Sequence, residues 1–454
     1  MKTNYRYMIT LAVVAITVSC SDFLEMEVPK DQIDQSKVFN DDRTATSALT
    51  EVYTLMRNNG FLSGNKDGMG FLMGCYTDEL EVTAPQVTDY KYFYESAVLS
   101  TNTAVQNLWN NTYRQLYLVN NVLEGLEHAT EISEPVQRQL RGEALAVRGL
   151  LHFYLCQTYG DVPYVTGTDY SVNRRLGKVS VPNVMHLALQ DLTTAEDLLD
   201  VNYPSVEKVR INKVVTQAIL ARVYLFAGKY PEAKNYAQMV IENPIYGLEN
   251  VEDLFLKDST SAIWQFKPAV DTGNALEADT YFFPSSPAPY AKLSTNFLQD
   301  FEMGDLREVY WTKHVGTQGD AYASKYKQRG FSVSAEYSVI MRVEEMYLIA
   351  AEASAQIGEF AQCEHYLNLL RIRAQLPLVA TVSKDECLAA VMQERRVELF
   401  CEFGHRFYDL KRWKLLDVKL SPLKNRWQSQ FEVLPLPEKE LLLNPGLLPQ
   451  NVGY

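Results

Sequence analysis

The sequence contains no run of about 20 apolar residues, the length needed to cross a hydrocarbon core ~30 Å thick; its apolar leader, Tyr7 to Val18, stops well short of that. It also lacks the G-x-S-x-G elbow, the H-E-x-x-H helix, the phosphate-binding Walker loop and the dinucleotide-binding glycine fingerprint, so no motif-borne enzyme class is indicated. Histidine is scarce, with six residues scattered at 128, 152, 186, 314, 365 and 405. His365, in "CEHY", has no partner cluster that would make it a metal ligand. "DTGNALEAD" from Asp271 resembles a calcium loop only loosely and lacks the acid at position 12. No metal and no cofactor is therefore expected. Cysteine offers no disulfide framework either. After Cys20 an odd five remain (Cys75, Cys156, Cys363, Cys387 and Cys401), with no metal-knuckle or redox spacing. Cys387 and Cys401, read on one helix, would stand roughly 21 Å apart at ~1.5 Å per residue, too far to bridge. The five are expected to be buried free thiols. A basic surplus is missing as well: the net charge is −13, which disfavours nucleic acid and anionic headgroups as partners.

What is present begins at the N-terminus. Lys2 and Arg6 precede the short apolar stretch, Ser19 is a small residue at the cut, and Cys20 follows at once. The pattern is that of a removed export signal (1–19), and the cysteine behind it suggests a bacterial lipoprotein acylated at Cys20. With 47% hydrophobic and 22% charged residues, the body is an ordinary globular chain. Tyrosine is abundant, 28 residues against 5 tryptophans, and its flat face with a hydroxyl suits surfaces that handle polar ligands.

Apolar periodicity predicts helices at roughly 41–58, 101–128, 132–159, 181–200, 211–227, 231–242, 336–357, 359–375 and 384–402. The fold class is therefore mainly all-α. In "ILARVYLFAGKYPEAKNYAQMVIE", Leu220, Ala221 and Tyr224 share a face, Gly228 closes a turn, and Tyr230 and Ala233 open the next helix. These are the offsets of a tetratricopeptide-like hairpin. "AAEASAQIGEFAQCEHYLNLL" repeats the theme with Ala351, Gly358, Phe360 and Cys363. Such hairpins cannot bury their faces alone, so the other helix pairs must stack beside them. Two stretches are irregular. Residues 60–100 carry five glycines and then Tyr90, Tyr92 and Tyr94, which would lie on one side if extended. Residues 244–335 are loop-rich and hold Trp264, Tyr281, Phe282, Phe283, Tyr290, Tyr310 and Trp311. Long aromatic loops on a regular frame suggest loops that carry function.

In "QERRVELFCEFGHRFYDLKRW", Glu394, Glu398 and Glu402 recur every four residues among Arg395, Arg396, Arg406 and Arg412. The structural reading, a helix whose acids and arginines pair internally and which is capped by Gly404, is preferred to a catalytic one. Paired carboxylates for glycoside cleavage could be drawn from 56 acids, but sequence spacing gives no separation in space.

Five segments in order resemble the SusD/RagB family. They are "WNNTYRQLYLVNNVLE" (Trp109, Tyr113, Asn120); "RGEALAVRGLLHFYLCQTYGDVPY", with Gly149 where alanine is usual; "YSVIMRVEEMYLIAAEA"; "ERRVELFCEFGHRFYDLKRW", with Phe403 before the glycine; and the closing "LPLPEKELLLNPGLLPQNVGY". The resemblance implies a helical frame in two regions, 20–250 and 251–454, the second holding variable ligand loops and a last tetratricopeptide-like hairpin. It implies a non-catalytic, surface-exposed lipoprotein of the outer membrane that acts as lid and capture subunit of a SusC-like TonB-dependent transporter. The ligand it implies is an oligosaccharide, or a peptide in the RagB-like branch. A surface glycosidase or a protein-binding scaffold are the rival classes. Asp22, Glu25 and Glu27 look like the family's acidic surface-export signal. For the ligand face the aromatic loops offer Tyr90, Tyr92, Tyr94, Trp264, Tyr281 and Trp311, with Asp78 and Glu79 as hydroxyl acceptors.

Overall fold

Capping residues start the helices close to where the periodicity places them. Among the described residues nine helices of ten or more residues occur: α1 (Asp42–Asn58), α2 (Thr103–His128), α3 (Glu134–Tyr159), α4 (Val181–Leu198), α5 (Lys213–Phe226), α6 (Tyr230–Ile241), α7 (Val343–Gln356), α8 (Phe360–Arg373) and α9 (Lys384–Glu398). The computed structural model describes residues 38–454 apart from Gln318 and Ser332, so the leader, Cys20 and the acids at 22, 25 and 27 lie outside it. The side chains of Asp41, Asn102, Asn212 and Ser383 accept from first-turn amides of α1, α2, α5 and α9, satisfying donors that have no intrahelical partner. Proline stands in the first turn of α3, α4 and α6, where a missing N–H costs nothing.

Each helix packs on the next one in sequence, and α6 packs on α7 across an excursion of about a hundred residues. One buried cluster runs from Phe39 to Leu447 through the whole stack, so the regions on either side of residue 250 share a core. The α5–α6 and α7–α8 hairpins turn at Gly228 (φ 69°) and Gly358 (φ 86°), left-handed positions that favour glycine. Ala221, Ala233, Ala351 and Cys363 are fully buried, as the tetratricopeptide-like spacing requires. Gly149, in α3, has a packing reason. A Cβ there would meet the Ala188 carbonyl of α4 at 2.9 Å and Leu192 at 3.0 Å, so glycine permits the close approach.

The excursion and the 60–100 stretch contribute six short strands: β1 (Leu80–Val82), β2 (Ala262–Phe266), β3 (Ala291–Leu293), β4 (Thr312–Val315), β5 (Asp320–Ala323) and β6 (Ser338–Arg342). They pair antiparallel as β1–β3, β2–β6 and β4–β5. The helix expected over 336–357 therefore begins only at Val343. Residues 338–342 pair with β2 and are buried on both faces, a setting in which Val339 and Ile340 favour strand. The helix expected to reach 402 ends at Glu398, because Cys401 (φ 58°), Phe403 (φ 41°) and Gly404 (φ 79°) are left-handed. Gly404 is the N-cap of the helix His405–Arg412 and not the cap of the acidic one.

The acids and arginines of this block pair mostly across the fold. Within the block, Arg395 and Arg412 share Asp409. Glu398, with no exposed surface, accepts from Arg307 (2.9 Å), Arg342 (2.7 Å) and Arg373 (2.7 Å). Glu402 holds Arg342 and Lys325, and Glu394 holds Arg307 and Arg371. Arg412 reaches Glu352 on α7. On the neighbouring helices Arg222 of α5 forms a bidentate pair with Glu345 of α7 (2.7 and 2.5 Å), both buried. Burial alone would raise the Glu398 carboxyl, but the charges of Arg373, Arg342 and Arg307 outweigh it and hold it well below the ordinary range. Breaking a buried pair leaves its partner uncompensated at a cost of about 3–5 kcal/mol. Glu398→Ala is expected to lose that much, read from urea unfolding at pH 7; a loss below about 1 kcal/mol would contradict this role.

Candidate functional site

Most residues singled out in the sequence as ligand contacts serve the frame. Asp78 follows the helix Met69–Tyr76 and accepts from Arg396 (2.7 Å) and Arg406 (2.9 and 2.8 Å). Burial would raise its carboxyl, but the Arg396 charge and the Arg406 hydrogen bonds prevail and hold it low. Its oxygens are committed, although it borders an open groove of about 740 Å³ with Asn296, Gln299, Asp300, Gln393 and Trp413. Glu79 is buried, and burial pushes its carboxyl up to about 7 against the opposing Arg396 charge. Neither acid has the free face a sugar hydroxyl would need.

The rings divide the same way. Trp264 and Trp311 have no exposed surface: Trp264 packs edge-on against Tyr53 and Phe266, and the Trp311 indole N–H donates to the Val251 carbonyl (2.8 Å). Tyr281 is buried, donating to the Cys401 carbonyl at 3.1 Å. The expectation that these three present a face to ligand is not met. Tyr90, Tyr92 and Tyr94 are half-buried on a short helix, Asp89–Tyr94. At about 100° per residue Tyr92 points away from the other two, so the extended, one-sided display does not form. Tyr90 packs edge-on against Phe71, and the Lys424 ammonium sits 4.5 Å from the Tyr94 ring centre.

Tyr281 also lines a small, partly open cavity of about 20 Å³, room for one water. It is lined by Gly64, Gly70, Glu277, Tyr281, Lys325, Tyr326 and the left-handed turn at Cys401–Phe403. The Ser338 hydroxyl donates to one Glu277 oxygen, while the other has no hydrogen-bond partner among the described residues. Gly64 leaves room for that carboxyl, since a Cβ there would lie 2.2 Å from it and force it to shift.

The excursion also builds an open cleft of about 330 Å³, at the lower end of the ~300–1,000 Å³ typical of ligand pockets. Phe282 follows the helix Glu277–Tyr281, Tyr310 lies on the helix Leu306–Trp311, and Tyr322 is on β5. Lys313 and Tyr322 are directly opposed in the β4–β5 register, so their side chains share one face of the hairpin. Phe282 meets Tyr322 edge to face at 5.5 Å between ring centres. Phe282, Tyr310 and Tyr322 are half-buried, with the Thr312 and Ser324 hydroxyls and the Lys313, Lys327 and Arg329 cations around them. Such a surface combines flat apolar faces with directional polar groups. The sequence marked this segment but different residues of it, since Phe282 and Tyr310 line the cleft where Tyr281 and Trp311 face the core. Tyr322, flanked by Ala321 and Ala323, was missed; the alternation of a ring with small residues was its one local signal.

Comparison with known proteins agrees with this architecture. A family model described as "Starch-binding associating with outer membrane" (SusD-like) matches residues 22–225, and one described as "SusD family" matches residues 307–454. The chain belongs to the SusD/RagB family. Two SusD-like proteins of Formosa agariphila, P25 and P2, are 23% and 26% identical, covering 96% and 99% of this chain and 97% and 100% of their own lengths. A SusD superfamily crystal structure from Bacteroides vulgatus ATCC 8482 superposes with a TM-score of 0.79 at 21% identity, covering 92% of this chain and all of that one. A laminarin-binding SusD-like protein gives 0.78 at 21% identity over 92% of this chain and all of its own. The aromatic cleft draws Ala278 and Phe282 from residues 226–306, between the two matched segments.

Burial pushes the Glu277 carboxyl up to about 7, with the Ser338 hydroxyl bond opposing it. An unfolded glutamate titrates near ~4.3, so the folded chain holds this proton to higher pH. The stability this group contributes is full below ~4.3 and is lost as pH rises through about 7. Glu277→Gln should therefore match the parent protein at pH 5 and exceed it at pH 8 by about 1–3 kcal/mol, measured by urea unfolding at both pH values. An equal difference at pH 5 and pH 8 would contradict the assignment.

Proposed function

We propose that this protein is a non-catalytic, outer-membrane, surface-exposed lipoprotein that captures an oligosaccharide and passes it to a SusC-like TonB-dependent transporter for which it is the lid. The observation that carries the reading is the cleft of Phe282, Tyr310 and Tyr322 rimmed by hydroxyls and cations. Membership of a family whose model is described as starch-binding and associated with the outer membrane supports it, as does the likeness to a laminarin-binding protein. Anchoring falls to Cys20, with Asp22, Glu25 and Glu27 as the address behind it. Among the described residues no helix is long and apolar enough to cross a membrane, and acylation would supply the attachment.

A sugar ring presents an apolar C–H face edged by hydroxyls. If each stacked aromatic ring covers ~50 Å² of it, at ~25 cal/mol per Å² the contact contributes roughly 1 kcal/mol. Two or three rings with a few hydrogen bonds then give a Kd between about millimolar and tens of micromolar, weak enough for cargo to be handed on. The Phe282→Ala/Tyr322→Ala double variant should lose about 10- to 30-fold in affinity for a bound oligosaccharide by calorimetry, with an unchanged helical circular-dichroism signal. Retained affinity would move the site elsewhere, and binding of peptides alone would favour the RagB-like branch.

A single acyl chain holds a protein to a membrane only marginally, whereas a bacterial lipoprotein cysteine carries several. Cys20→Ala is expected to abolish fatty-acid labelling and to shift the protein from the membrane to the soluble fraction. An unlabelled parent protein alongside a membrane-bound variant would refute the anchor.

A further inference from the structure

The aromatic cleft is charged against the sign of the rest of the chain. The protein carries a net charge of −13, yet the cleft is lined by Lys313, Lys327 and Arg329 and by no carboxylate. Among the described residues the Lys313 ammonium has no ion-pair partner, and its place opposite Tyr322 sets it beside that ring. Lys327 donates to the Glu252 backbone carbonyl at 3.3 Å, a neutral acceptor, and its ammonium lies 5.5 Å from the Tyr310 ring centre. Arg329 is joined through Nε to Asp279 (2.6 Å), and its guanidinium lies 3.7 Å from the Phe282 ring centre. Its two terminal amines make no hydrogen bond among the described residues. Among the described residues Asp279, which stands outside the lining, is the one carboxylate ion-paired with any of the three side chains; Glu336 accepts from the Lys327 backbone N–H (2.8 Å) and lies within reach of its charge.

At Glu398 and Asp78, by contrast, buried arginines are matched by acid. Three cations around one cleft repel one another, and a concave low-dielectric wall focuses their field into the space between. An anion would relieve that repulsion. A guanidinium with two unused amines offers the planar fork that fits a carboxylate or a sulfate. The rings beneath ask for a flat apolar face in the same ligand. Resting on the reading of this cleft as a glycan site, the geometry points to an acidic oligosaccharide, one bearing uronate carboxylates or sulfate esters, as the class of ligand it selects. Phe282 and Tyr322 take the sugar faces, and Lys313, Lys327 and Arg329 take the anionic groups.

The test uses four oligosaccharides of matched length: oligogalacturonate, which carries carboxylates only; kappa-carrageenan oligosaccharide, which carries sulfates only; and the neutral laminari- and cello-oligosaccharides. Binding to the full chain is measured by calorimetry at 20 mM and 300 mM NaCl. At least one acidic probe is expected to bind tenfold or more tightly than both neutral ones, and to weaken several-fold at the higher salt as the exposed charges are screened. The arm that binds identifies carboxylate or sulfate as the recognised group. Lys313→Gln/Lys327→Gln, which keeps polar side chains one atom shorter and removes two charges, should cost the acidic probe at least tenfold and flatten its salt dependence. Neutral probes that bind as tightly as both acidic ones, or a charge variant that binds the acidic probe like the parent protein, would overturn the anionic class. In that outcome a neutral oligosaccharide whose binding is lost in the Phe282→Ala/Tyr322→Ala variant leaves the glycan reading standing. Binding of none of the four overturns both.

Discussion

The carboxylate of Glu398 is the point on which the C-terminal half is hung. Three arginines far apart in the chain converge on it: Arg307 and Arg342 from the excursion, the latter at the end of β6, and Arg373 from the end of α8. Each would be costly to bury unpaired, and together they oblige those segments to meet at one place. Hydrophobic contacts could tolerate several packings of short, irregular pieces. A set of directional, fully desolvated hydrogen bonds tolerates far fewer. The same device recurs on a smaller scale at Asp78, which ties the 60–100 stretch to Arg396 and Arg406. The charged block thus does for the loops what apolar stripes do for the helices.

The frame was legible because its signals are local. Period-3.6 apolar patterns, Asn and Ser caps, first-turn prolines and the glycines at 228 and 358 all act within a few residues, and helices built on them begin and end nearly where expected. The failures share a cause too. Residues 338–342 carry an apolar run that fits helix or strand alike, and a partner strand some 75 residues earlier decided it. Glu394, Glu398 and Glu402 read as an internally paired helix because i to i+4 spacing is visible in a sequence, while arginines 23 to 91 residues away are not.

The aromatic cleft was legible by segment and not by residue. Aromatic density located the excursion, but which ring of an adjacent pair faces outward depends on where a short helix starts. Shifting that start by one residue exchanges Phe282 for Tyr281, or Tyr310 for Trp311. Asp78 and Glu79 were misread for a related reason. An acid in a glycine-rich stretch looks solvent-exposed until the arginines that enclose it, more than 300 residues later, are brought alongside.

The seam between α6 and α7 has a consequence for how such a surface can change. The excursion departs from one helix of a packed pair and returns at the other, so its two ends are pinned at fixed separation by contacts that take no part in its interior. For a flexible segment, the entropic penalty of closure grows only with the logarithm of length, about 0.6 kcal/mol for each doubling. Insertions and deletions in the exposed turns of that span, away from Arg307, Trp264 and Trp311, which are buried in the shared core, therefore cost the stack little. Selection can lengthen or trim the turns around the aromatic cleft while the buried anchors of the span and the helices beneath them stay as they are.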